Sequence, residues 1–72
     1  MILSDRKHLI STVSVGELHT FAECLGFKRE WFQDHPKHPH YDLTTSRAAD
    51  RARKFGAREV SSKELTRRAW ED

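Results

Sequence analysis

Apolar residues along this chain recur at helical spacing in three stretches, and each stretch is opened by a hydroxyl-bearing side chain. Leu18, Phe21, Ala22 and Leu25 lie three and four apart, the spacing of a single helical face. Ser14 precedes them, Glu17 follows it by three residues, and Val13 and Leu18 are spaced as a hydrophobic staple, so a capping box opens a first helix and Gly26 closes it. Ala48, Ala49, Ala52 and Phe55 form a second apolar face, capped by Thr44 or Thr45 and ended by Gly56. Ser61 and Glu64 repeat the capping box, with Val60 and Leu65 as the staple and Leu65, Ala69 and Trp70 on the buried side of a third helix.

The segments between these helices are short and read as extended: Lys7 to Thr12, Tyr41 to Leu43, and Ala57 to Val60. Phe27 to Gln33 suits a helical turn presenting Trp31 and Phe32. The run from His35 to His40 holds two prolines and breaks all periodicity, so residues 35–39 are expected to form a solvated, mobile loop that folding does not need. Strands alternating with helices predict an α/β (or α+β) architecture, with three main helices on a short, partly parallel sheet.

Composition narrows this picture to one small domain over residues 1–72. With 36% hydrophobic and 33% charged residues, the core must be thin and the surface heavily charged. No apolar run approaches the roughly 20 residues of a membrane span, and the first ten residues lack the pattern of a signal peptide, which predicts a cytoplasmic protein. The single cysteine, Cys24, excludes an internal disulfide and reads as a small buried hydrophobe late in the first helix. The net charge of +2 is too small to argue for non-specific nucleic-acid binding, although the positive excess falls in the C-terminal part of the chain.

Candidate chemistry centres on histidine. Five occur in 72 residues, and His35, His38 and His40 fall within six positions, followed by Tyr41 and Asp42. Imidazole and carboxylate together suit zinc or manganese. His35 and His38 flank prolines and read as solvated loop residues, whereas His40 opens a strand and needs a partner. His19 lies beside Leu18 at the boundary of the first helix, and His8 interrupts an extended segment. No serine sits in a nucleophile elbow, and three glycines make no phosphate-cradling loop, so a hydrolase triad is unsupported. Arg51, Arg53 and Lys54, like Arg67 and Arg68, read as solvated helix faces able to pair with phosphates.

The segments Lys7-His8-Leu9-Ile10-Ser11, Glu17-Leu18-His19-Thr20-Phe21-Ala22, Leu25-Gly26 through Gln33, and His40-Tyr41-Asp42-Leu43-Thr44 occur in an order and spacing that resemble the small bacterial and phage family catalogued as domain of unknown function 4031. Gly56-Ala57 and Ser61 through Leu65 match the family's ending, so the likeness runs across residues 7–65 and leaves 35–39 as a variable loop. The resemblance implies that His8, His19, His40 and Asp42 are the family's polar motif positions, and implies no activity. Family members commonly begin with a longer extended segment bearing an aspartate, whereas this chain reads Met1-Ile2-Leu3-Ser4-Asp5 and reaches His8 almost at once, so a first strand is expected to be short or missing.

These residues predict a binding module in which His8, His19 and His40 converge with Asp42 on a nucleotide or other phosphorylated ligand, or a nucleic-acid end, with Tyr41 or Trp31 stacking on a base. A protein-interaction or regulatory subunit presenting Trp70, self-associating or binding another protein, is the alternative. A metal-dependent phosphodiesterase or nuclease ranks third, its ion held by His8, His19, His40 and Asp42.

Overall fold

The computed structural model describes residues 1–36 and 39–70, the side chains of residues 69 and 70 excepted. The strands are β1 (Ile2–Ser4), β2 (His8–Ser11), β3 (Phe32–Gln33), β4 (His40–Asp42) and β5 (Arg58–Glu59), and the helices are α1 (Val15–Cys24), α2 (Ser46–Lys54) and α3 (Ser62–Trp70). They build one five-stranded sheet in the order β3-β4-β2-β1-β5. Only the β1–β5 pair is parallel; the others are antiparallel. Three helices on a mixed sheet make this an α+β fold. No helix among the described residues is long and apolar enough to cross a membrane.

The first strand is present and short, three residues, and it is internal to the sheet. Ile2, Leu3 and Ser4 are all buried, so β1 lacks the alternation that betrays a half-exposed strand. Its neighbours in sequence point to opposite faces. Ile2 joins Leu9, Tyr41, Leu18, Ala22 and the alanines of α2 in the larger core, while Leu3 joins Ile10 and Leu65 in a smaller one under α3. Helices α1 and α2 therefore cover one face of the sheet and α3 part of the other.

Hydroxyl caps open all three helices. Ser14 Oγ accepts the Glu17 amide at 3.0 Å, Thr45 Oγ1 that of Ala48 at 3.1 Å, and Ser61 Oγ that of Glu64 at 3.1 Å. The first capping box is only half made, because the Glu17 carboxylate turns to Ser11 Oγ, and Ser11 in turn accepts the Ser14 amide. The Val13 staple is absent too, that side chain being 69% exposed, whereas Val60 does pack on the Leu65 cluster. Gly26 and Gly56 end α1 and α2 at φ +74° and +120°, and open space around both leaves backbone conformation as the constraint. Two residues expected to be apolar contacts turn outward at the helix ends: Phe55, assigned to the second apolar face, is exposed with the Arg51 guanidinium 5.7 Å over its ring, and Cys24, read as a small buried hydrophobe, is exposed. The expected helical turn is a 3-10 turn over Arg29–Trp31 that runs directly into β3. The mobility expected of residues 35–39 falls partly on Lys37 and His38, which lie outside the described residues, as does the Trp70 side chain.

A candidate metal centre on the sheet

Strand β4 sorts the motif residues by parity. Tyr41 pairs with Leu9 and Phe32 and points into the larger core, so its neighbours His40 and Asp42 emerge on the opposite face. His8 stands directly across from Asp42 in the β2–β4 register and shares that face. The two imidazoles meet edge to face with centroids 5.2 Å apart, and His40 Nε2 lies 3.3 Å from Asp42 Oδ1. His8, His40 and Asp42 can each offer one ligand atom, all within 4.8 Å of one another. An ion at about 2.1 Å from each would draw them to roughly 3–3.5 Å.

Behind His8 sits a residue that the pattern of the sequence did not single out for chemistry. Asp5 occupies the turn between β1 and β2, where Arg6 takes the left-handed conformation at φ 76°. Its Oδ1 accepts the amides of Lys7 at 2.9 Å and His8 at 2.7 Å, which fixes the turn. Its Oδ2 meets His8 Nδ1 at 3.2 Å and accepts the Ser62 hydroxyl of α3 at 2.8 Å. The Asp5 side chain is 2% exposed. Burial alone would push its carboxyl up, but the Lys7 amide, the His8 ring, the Ser62 hydroxyl and the His8 amide together outweigh burial and hold it below its ordinary value. An ionised Asp5 fixes the Nδ1–H tautomer of His8 and leaves the lone pair on Nε2, the arrangement that orients metal-bound histidines.

With neutral imidazoles, Asp5 and Asp42 give the cluster two negative charges, which two protons or one divalent cation would balance. Beside it, Gln33, Asp34, His35, Pro36, His40 and Asp42 line an open depression of about 490 Å³.

The remaining motif residues go elsewhere. His19 projects from α1 on the other side of the sheet, where Nδ1 lies 2.7 Å from the Tyr41 hydroxyl and the ring packs edge-on to Phe32. The expected convergence of three histidines thus holds for His8 and His40 and not for His19, because helix α1 covers the opposite face. Tyr41 is 1% exposed and engaged by His19, so it cannot stack on a ligand; burial keeps the proton on its phenol. Trp31 packs on Phe27 and lines a groove along α2, away from His8 and His40. His38 lies outside the described residues.

No curated protein and no solved structure matches the chain significantly. One family profile does, over residues 4–72, which includes Asp5, His8, His19, His40 and Asp42. The chain belongs to that family, described as protein of unknown function (DUF4031).

Proposed function

We propose that this protein is a divalent-metal-binding module in which His8, His40 and Asp42 hold a zinc or manganese ion, Asp5 orients His8, and the open coordination positions take a phosphorylated ligand such as a nucleotide. The observation that carries this reading is the joint geometry of the cluster: three residues with ligand atoms within 4.8 Å, one of them a histidine whose Nδ1 meets a buried carboxylate. Three protein ligands leave positions for water or an anion, as open metal sites do. The ion also accounts for the phosphate, since a depression rimmed by Asp34 and Asp42 repels an anion until a cation bridges it. Hydrolysis of a phosphodiester by a metal-bound water is the second reading, favoured by those same open positions. A free, exposed Cys24 supports a reducing compartment, and hence the cytoplasm.

Zinc and manganese titration of the purified protein by calorimetry tests the proposal, followed by inorganic phosphate and AMP with and without the ion. One ion per chain is expected, with H40A and D42A each abolishing it, H19Q retaining it, and AMP binding only after metal. Failure of the folded protein to take up either ion at saturating concentrations would refute it.

A further inference from the structure

A groove with an open volume of about 670 Å³ lies on the α1/α2 side of the sheet, away from the histidine cluster. Leu25, Phe27 and Trp31 form one wall, and helix α2 forms the other with Arg47, Arg51, Lys54 and Phe55. The three cations stand at positions i, i+4 and i+7, which places them along one side of α2. At 1.5 Å per residue the row spans about 10 Å.

The charge of this groove is not balanced locally. Asp50 also lines it, but Arg6 Nη2 binds Asp50 at 2.8 Å, and Glu59 is shared between Arg6 at 3.3 Å and Arg53 at 3.5 Å. Arg47, Arg51 and Lys54 make no ion pair among the described residues. Beside them Phe55 is 58% exposed, a large ring left at the surface, and Trp31 is only partly buried. Unbalanced cations in a row, next to aromatic faces, are the two components with which proteins grip a single nucleic-acid strand.

We propose that this groove binds single-stranded nucleic acid, with bases stacking on Phe55 and Trp31 and consecutive phosphates pairing with Arg47, Arg51 and Lys54. A strand fits better than a free mononucleotide, because the cations are spread over about 10 Å instead of gathered on one phosphate. The proposal stands independently of the metal centre.

Fluorescence anisotropy of a labelled twelve-residue oligothymidylate, measured in EDTA so that the histidine cluster takes no part, tests it. Three neutralised phosphates give a log–log salt slope of about −2, so affinity should fall roughly 20-fold between 50 and 200 mM KCl. The triple variant R47A/R51A/K54A, whose substitutions are solvent-facing and favour helix, should lose the slope with its melting temperature kept. R51K should preserve the slope. F55S, altering an exposed ring, should weaken binding by about 5- to 150-fold. Unchanged affinity in the triple variant would overturn the proposal, as would absence of binding by the wild type at 50 mM KCl, or equal competition by AMP at matched nucleotide concentration.

Discussion

Replacing Asp5 with Asn separates the two things that this carboxylate does. The Asn carbonyl can still accept the Lys7 and His8 amides, now at 2.9 and 2.7 Å, so the turn survives. Its amide nitrogen then faces His8 Nδ1, where Oδ2 stands at 3.2 Å, and donates a proton toward it. His8 must answer as an acceptor at Nδ1, which moves its own proton to Nε2 and removes the lone pair that Nε2 would offer an ion. Loss of such an outer partner costs about 10- to 100-fold in metal affinity, or roughly 1.4–2.7 kcal/mol. Exchanging charged for neutral hydrogen bonds costs about 1 kcal/mol of stability, a fall in Tm of roughly 4–8 °C. Competition for zinc against a fluorescent chelator, run beside thermal melts, measures both effects. D5N binding zinc within twofold of the wild type while remaining folded would sink the orienting role. D5A supplies the contrast, since it removes the turn acceptor as well and should lose far more stability.

A carboxyl held below its ordinary value contributes stability that is fully present above about pH 4 and is lost as pH falls through its folded value, so urea melts from pH 5 to 2 should steepen for the wild type and flatten for D5N; parallel curves would refute this. Leu65 is fully buried against Leu3 and Ile10, so L65A should lower stability by about 2–5 kcal/mol in urea melts and loosen zinc binding through Ser62, and a loss below about 1 kcal/mol would mean that α3 is not held by this cluster. Cys24 is exposed, so Ellman's reagent should titrate it fully without denaturant, and protection until unfolding would restore the buried reading.

What the sequence made legible here is mostly punctuation. Ser14, Thr45 and Ser61 cap helices through local hydrogen bonds, and Gly26 and Gly56 end them through local backbone geometry, so neighbours along the chain suffice to find them. Strand β1 escaped because parallel pairing with β5 buries it on both sides and erases the alternation. Phe55 was misread because periodicity was extrapolated one residue past the end of α2, and Cys24 because its small apolar character does not tell that it lies off the stripe of Leu18, Ala22 and Leu25. Half of the site was legible in the His-Tyr-Asp triplet: alternation about Tyr41 sends His40 and Asp42 the same way. The exclusion of His19 was not legible, since only tertiary packing shows that α1 covers the Tyr41 face of the sheet. Asp5 carried a weaker signal, a turn-forming aspartate between two apolar runs, whose reach to His8 and Ser62 only the tertiary structure reveals.

The alternation of β4 also couples chemistry to folding fidelity. A slip of β4 by one position against β2 would carry His40 and Asp42 into the core against Leu9 and Leu18 and lift Tyr41 to the surface, so one frame of this three-residue strand brings both halves of the cluster together. A cation binding only that frame stabilises it by mass action, by about 2.7 kcal/mol at a hundredfold excess over Kd. In a domain whose pairing is so short, the ion would act as a frame selector, rejecting misaligned hairpins that apolar contacts alone discriminate poorly. Refolding with zinc present should accordingly leave fewer misaligned molecules than refolding in chelator followed by addition of the same ion.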